Sequence, residues 1–295
     1  MFKNATLYRI AKARGMTAPK LEDAFVDQAF TPCDPHQEKS VGWVPPRGQE
    51  HGALLESVGG QWIARFMVET KKVPAQAIRD KVDAQCKDIE VQTGRKPGKK
   101  ERRELTDDAR QVLLPHAFSK RAATWVWIDS KAQRLVLDTA SQACADEVVT
   151  ALIKALDGLA LHRVHTETAT AAAMAYWLRE REAPQGFSVD RECELKAADE
   201  SRSAVRYTRA PLDTDEVVQH VTQGMLPTQL ALTWNDRASF VLTDGLQLKK
   251  LAFLDVEANG EVAEDAFDAD VAIATGELGA LIPELLSALG GEVTA

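Results

Sequence analysis

Between Pro74 and Leu114 the chain carries two runs of helical periodicity joined by a connection so short that the helices must fold back on each other. In the first, Pro74 to Thr93, the apolar residues Ile78, Val82, Cys86 and Ile89 recur at three- and four-residue spacing. Pro74 suits a first helical turn, where a missing N–H is no loss. In the second, about Lys100 to Leu114, residues Leu105, Ala109, Val112 and Leu113 fall on one face. The link Gly94-Arg95-Lys96-Pro97-Gly98-Lys99 is rich in helix breakers, which predicts an antiparallel hairpin. A helix of about sixteen residues extends roughly 24 Å, so the hairpin is expected to protrude like a finger with its turn at the tip.

That turn is also the strongest charge feature. Arg95, Lys96, Lys99, Lys100, Arg102 and Arg103, opposed within the run by Glu101, give +5 in nine residues. Two readings stand side by side. Clustered guanidinium and ammonium groups on an exposed turn can displace counterions from a nucleic-acid backbone without reading bases. The same cluster also serves as a solvated helix end that keeps the chain soluble. Lys71, Lys72, Arg79, Lys81, Lys87, Lys120 and Arg121 flank the hairpin and shift the balance toward DNA.

The whole chain of 295 residues has a net charge of -8, which at first argues against a polyanionic partner. The acids are concentrated, however. From Asp244 onward eleven of them (Asp244, Asp255, Glu257, Glu261, Glu264, Asp265, Asp268, Asp270, Glu277, Glu284 and Glu292) face only Lys249 and Lys250. That tail carries -9, and taking -9 from -8 leaves +1 for the remainder, whose bases are free to cluster.

Elsewhere strands and helices mix without a strict βαβ alternation. Asn4 to Ile10 reads as a strand, Pro19 to Phe30 as a short helix with Leu21, Phe25 and Phe30 as contacts, and Gln61 to Val68 as another strand. Gly42-Trp43-Val44-Pro45-Pro46 is expected to form a rigid turn with Trp43 in the core. Thr124 to Asp129 and Arg134 to Asp138 predict a β-hairpin, and Ser141 caps a helix running to Leu156 and stopped at Gly158. A helix from Thr170 to Arg181 follows, then strands near Glu192 to Lys196 and Ala204 to Thr208, and a helix from Thr214 to Gln223. Leu230 to Trp234, Ser239 to Thr243 and Leu246 to Phe253 form a meander, and an apolar helix spans Gly276 to Leu289. The fold class is α+β, a multi-lobed chain with a protruding helical hairpin. Three regions are expected: residues 1–72 with 121–160 as a central α+β part, 73–120 as the finger, and 161–295 as a C-terminal α+β base.

Enzymatic motifs are not found. Residues 94–100 superficially resemble a phosphate loop, but three residues rather than four separate the glycines and no Ser or Thr follows the lysine. There is no GxSxG elbow and no HExxH. Cys33, Cys86, Cys144 and Cys193 stand far apart, and His162 and His165 lack a partner at ligand spacing, so neither a metal nor a cofactor is expected. Asp265, Asp268 and Asp270 are the one carboxylate group to weigh for a metal-dependent nuclease, and their acidic surroundings favour a solvated face. The first thirty residues carry charges throughout and no eighteen apolar residues run uninterrupted, so a cytoplasmic protein without membrane contact is expected.

Short strings along the chain carry a family resemblance: Ala29-Phe30-Thr31-Pro32-Cys33, Gly42-Trp43-Val44-Pro45-Pro46, Leu113-Leu114-Pro115, Ala117-Phe118-Ser119, Trp127-Ile128-Asp129, Gln185-Gly186-Phe187, Thr275-Gly276-Glu277-Leu278 and Leu289-Gly290-Gly291-Glu292. In this order and spacing the chain resembles the bacterial recombination-associated RdgC family essentially end to end. The resemblance implies a nucleoid-associated, ring-shaped homodimer that binds double-stranded DNA with little sequence preference and restrains RecA-promoted recombination by competing for DNA. Single-stranded DNA is a second candidate ligand. A ring that is acidic outside and basic within reconciles the net charge with DNA binding.

On that resemblance Arg95, Lys96 and Lys99 match the family's basic finger positions, with Pro97-Gly98 interrupting a run that is usually one helix. Arg209 falls where the family has another basic segment, followed here by Ala210-Pro211. The expected DNA-binding set is Arg95, Lys96, Lys99, Lys100, Arg102, Arg103, Lys71, Lys120, Arg121 and Arg209. Phe118, just beyond Pro115, has two readings: it packs beneath the hairpin, or it reaches a partner chain and closes the ring. The rival function from another class is a protein-interaction regulator that acts through the acidic C-terminal lobe without DNA.

Overall fold

The computed structural model describes residues 1–13, 15–199, 203–254 and 263–293, the side chains of residues 263–265 excepted. In chain order the elements are β1 (Ala5–Ala13), α1 (Ala18–Val26), β2 (Lys39–Val44), β3 (Leu55–Val58), β4 (Gln61–Lys71), α2 (Ala75–Thr93), α3 (Lys99–Leu113) and, after one 3-10 turn, β5 (Ser119–Asp129). Then come β6 (Arg134–Leu137), α4 (Gln142–Ala155), β7 (Leu159–Arg163), α5 (Thr170–Glu180), β8 (Phe187–Ala197), β9 (Ala204–Thr208), α6 (Asp215–Thr222), β10 (Met225–Trp234), β11 (Ala238–Thr243), β12 (Gln247–Phe253) and α7 (Ala263–Ala288). Helix and strand are mixed and the sheet pairing is antiparallel, in keeping with the α+β expectation. The chain divides into two compact units. The first comprises Met1–Ala24, Pro45–Arg65 and Thr124–Ala295, and the second Phe25–Val44 and Phe66–Ala123.

In the first unit the strands run β6-β1-β12-β11-β10-β8-β9, and β7 also pairs with β1. Helix α7 supplies much of the core beneath them. Leu278, Leu281, Ile282, Leu285 and Leu289 are fully buried and cluster with Leu230, Leu232, Trp234 and Phe240 of the sheet. Each such side chain contributes about 1.5–3 kcal/mol relative to exposure, which is why the helix forms despite Pro283 within it. By length and composition residues 266–288 would cross a bilayer, but here their apolar face is the core of the sheet. Glu284 turns toward the sheet as well, accepting a 2.6 Å bond from Trp234 Nε1.

In the second unit β2, β4 and β5 neighbour one another in that order. Trp43 is their anchor, stacked on Phe25 with ring centroids 3.9 Å apart and meeting Phe66 edge-on at 5.0 Å. The segment expected to be a rigid turn is therefore strand through Val44. Its prolines end the strand rather than replace it, because Pro45 has no N–H to continue a ladder. Gly42 is required by close approach: a Cβ there would lie 2.5 Å from the Phe30 Cα. The short helix ends at Val26 instead of Phe30, since the Phe30 N–H donates to the Trp43 carbonyl at 2.9 Å and is held extended.

The expected hairpin is present as α2 and α3. Ile78 and Val82 meet Ala109, with Leu105, Leu113, Cys86 and Val73 around them. Val112, placed by periodicity on the same face, is half exposed, because Ala109 and Leu113 already fill the narrow stripe. Gly94 ends α2 in the left-handed region at φ 71°, and Gly98 precedes α3. Three strands escaped the sequence reading, namely β2, β3 and β7. Helix α7 also starts well before Gly276, which lies inside it with open space where a Cβ would stand.

Candidate nucleic-acid interface

Charge separates by unit. The second unit holds 15 Lys and Arg against 12 Asp and Glu, a net +3, and taking +3 from the total of -8 leaves -11 for the first. Of the ten sequence-derived contact residues, nine lie in the second unit, and Arg209 lies in the first.

Six of the nine surround the α2–α3 turn. Its geometry comes from Gly94, Pro97 and Gly98, which stop one helix and start the next within five residues. The N-terminus of α3 is closed by Glu101, whose carboxylate accepts from the Gly98 N–H at 3.4 Å. That carboxylate also takes Arg95 Nη1 at 2.8 Å and Nη2 at 3.4 Å. The hydrogen bond from Arg95 holds the Glu101 carboxyl below the usual range, and the same bond raises Arg95.

Further bases carry counter-charges that the linear run does not reveal. Arg102 reaches Asp83 of α2 at 2.8 Å, Lys96 approaches Glu90 at 3.8 Å, and Lys100 approaches Glu104 at 4.0 Å. Lys99 and Arg103 have no ion pair among the described residues, and they stand four residues apart, on one face of α3. All six side chains are exposed, so the existing pairs are weak and exchangeable for phosphate. The turn is thus a dense basic surface with two unmatched cations at its front.

Two of the remaining three are less free. Lys71 Nζ donates to the carbonyls of Asp34 at 2.9 Å and Cys33 at 3.3 Å. Arg121 lies 3.5 Å from the buried carboxylate of Glu69 and sits over the Phe30 ring at 5.5 Å. Glu69 is held below the ordinary carboxylate range by a hydrogen bond from Ser119, then by the Cys33 N–H and Arg121. Lys120 is exposed and unpaired among the described residues. In the first unit, Arg209 sits at φ 55° beside Arg191 in a cleft that also holds Lys250, itself paired with Glu192 at 2.6 Å. Arg191 is a basic neighbour the sequence reading missed, because a register shift in β8 is what brings it there.

Phe118 is 96% exposed, so it does not pack beneath the hairpin. Leu114, four residues earlier, takes that place and is buried.

No group of three His, Cys, Asp or Glu among the described residues is placed to share a metal. Asp268 is engaged by Arg47 at 2.6 Å, Asp270 is exposed, and the Asp265 side chain lies outside the described residues. His162 and His165 are both exposed.

A family model described as "Putative exonuclease, RdgC" matches residues 1–292. The chain belongs to the RdgC family. It is 42% identical over 300 residues to the recombination-associated protein RdgC of Dechloromonas aromatica, covering 99% of this chain and 98% of that relative. It is 42% identical to the protein of that name from Cupriavidus pinatubonensis and 39% identical to that from Bordetella pertussis, each over 296 residues with the same coverage. The RdgC family description mentions an exonuclease, whereas the relatives' names mention recombination alone.

Proposed function

We propose that this RdgC-family chain binds double-stranded DNA without sequence preference and acts without catalysis. A homodimeric ring carries the hairpin turns to the duplex, and occupancy of the duplex restrains RecA-promoted recombination in the nucleoid. Single-stranded DNA binds through the same bases. The observation that carries this reading is the α2–α3 turn, where six exposed bases gather in a unit of net +3 within an acidic protein. Such an array neutralises phosphates and releases counterions, and nothing in it is shaped to read base edges. Phe118, fully presented to solvent beside the hairpin, supports a role as an apolar anchor between copies.

The test is duplex binding by a variant with Arg95, Lys96, Lys99, Lys100, Arg102 and Arg103 neutralised, on two unrelated sequences. Equal weakening on both is expected, with wild-type log affinity falling linearly with log salt at about -0.9 per phosphate contacted. Undiminished affinity at low salt refutes the turn as the contact. A strand-exchange assay with the same variant separates the classes: inhibition that survives loss of DNA binding points to the acidic first unit acting on protein. Plasmid incubated with magnesium should remain intact, and degradation would restore the exonuclease reading.

A further inference from the structure

Phe118 is the most exposed large apolar side chain among the described residues, although another aromatic ring, Phe30, lies close to the strand that follows it. What keeps it in water is built into the start of β5. The chain is already extended at Ala117, with φ -74° and ψ 138°, and enters the strand at Ser119. Side chains alternate along an extended segment, so Ser119 and Arg121 turn to one face while Phe118 and Lys120 turn to the other. Ser119 and Arg121 both meet Glu69 of β4. That carboxylate is 3% exposed and accepts from the Cys33 N–H at 3.1 Å and from Ser119, with Arg121 at 3.5 Å. Arg121 also spreads over the Phe30 ring at 5.5 Å, which closes the carboxylate off from solvent.

Two strings distant in the chain, Ala29 to Cys33 and Ala117 to Ser119, are thus tied to one buried charge. Such a charge is a poor source of stability, because desolvation offsets the attraction and a well-packed apolar residue often does as well. Its effect here is on register. If residues 117–121 slipped by one position, Phe118 would face Glu69 and Ser119 would face water. The ring would gain apolar burial against Phe30. Glu69, however, would lose Ser119 and Arg121 and keep the Cys33 N–H alone. Leaving a buried carboxylate without its counter-charge costs more than burying one ring returns, so the slipped arrangement is rejected.

We infer that Glu69 is a positioning residue for contact between copies: through Ser119 and Arg121 it fixes the register of residues 117–121 so that Phe118 is held outward. The inference rests on the reading of Phe118 as an anchor between copies and assigns what keeps that anchor presented. Glu69 itself touches no partner, being buried. Lys120, exposed on the same face as Phe118, is carried outward with it.

The test is the self-association constant of the full chain by sedimentation equilibrium, with the melting temperature measured alongside. Glu69→Leu replaces the buried charge by an apolar side chain, leaves the half-exposed Arg121 free to turn to water and lets Phe118 pack inward. Association should weaken by about tenfold or more while the melting temperature holds or rises, a combination that a merely structural carboxylate does not give. Ser119→Ala should weaken association by about threefold to tenfold, and Ser119→Thr, which keeps the hydroxyl, should restore it. In a Phe118→Ala background Glu69→Leu should change nothing further, since it acts through the ring. Should Glu69→Leu not fold, the Ser119 pair carries the test. Wild-type association by Ser119→Ala and Glu69→Leu, additive losses in the double variant, or association that falls only in step with the melting temperature overturns the positioning role, even where Phe118→Ala weakens association. A wild-type chain that stays monomeric up to about 100 μM, or Phe118→Ala that associates as wild type, refutes the anchor itself and this inference with it.

Discussion

Glu101 is the residue through which the electrostatics of the basic turn are best tested. Its carboxylate holds Arg95 at 2.8 Å and accepts from the Gly98 N–H, so it both neutralises a base and closes the start of α3. Glutamine in its place keeps the capping reach, because the third helical position accepts Glu or Gln alike. What changes is the charge: the nine-residue run rises from +5 to +6 and Arg95 is released. If the turn contacts phosphates, Glu101→Gln adds up to one contact, which steepens the log-log salt slope by about 0.9. The affinity lost between about 50 and 200 mM salt then grows by a further factor of roughly three to four. Binding at the low end of that range should tighten on any duplex. The opposite experiment is Lys99→Ala with Arg103→Ala, which removes the two unpaired cations and should flatten the slope by about 1.8. Fluorescence anisotropy on one labelled duplex across five salt concentrations measures both. A Glu101→Gln slope equal to wild type, with the cap intact by circular dichroism, would refute phosphate contact at this turn.

Other outcomes follow from the same structure. Gly42→Ala should destabilise the second unit by about 1–3 kcal/mol in urea unfolding, since its Cβ would press into the backbone of Phe30 at 2.5 Å; an unchanged midpoint would mean that the crossing is looser than described. Phe118→Ala should leave the melting temperature unchanged, as a side chain 96% exposed supports no core, but lower the mass in solution at low micromolar concentration if it anchors a dimer. An unaltered mass and unaltered DNA retention would dismiss it as an anchor. Glu194 is held down to about 2 by hydrogen bonds from Arg206, Lys196 and Thr228. A carboxyl lowered by folding stabilises above its unfolded value of 4.5, and this contribution is lost as pH falls from there toward 2. Glu194→Gln should therefore be less stable than wild type at pH 7 and show a shallower acid decline; parallel melting curves from pH 7 to pH 2 would contradict the assignment.

How legible was all this in the sequence? The hairpin was, because Ile78, Val82 and Ala109 recur with the helical period and Gly94 and Gly98 mark its ends with little ambiguity. The β10–β12 meander was also legible, its turns signalled by Asn235-Asp236 and Gly245. Strand β2 was not, since Pro45-Pro46 signals a turn whether or not a strand precedes it, and only its pairing with β4 settles the matter. Gly276 read as a helix start because an isolated glycine weakens helical periodicity, yet the leucines beyond it bury enough surface to carry the helix through. At the candidate interface the bases were visible but their partners only in part. Glu104 lies at helical spacing from Lys100, whereas Asp83 meets Arg102 from nineteen residues away and only through the hairpin's own register.

The order of assembly is written into the position of β1. This strand precedes its neighbours β6, β7 and β12 in the chain, and the last of them begins only at Gln247. At about 5–20 residues per second, a ribosome needs roughly ten to fifty seconds to supply that final edge, and until then Leu7 and Ile10 have no finished sheet to enter. The second unit is complete in sequence at Ala123, while the first still waits for residues 124–295. The basic turn can therefore be folded and charged while the acidic remainder is still emerging, so a nascent chain would meet polyanions before its balancing charge exists, and the waiting strand is the segment for which a chaperone would matter most.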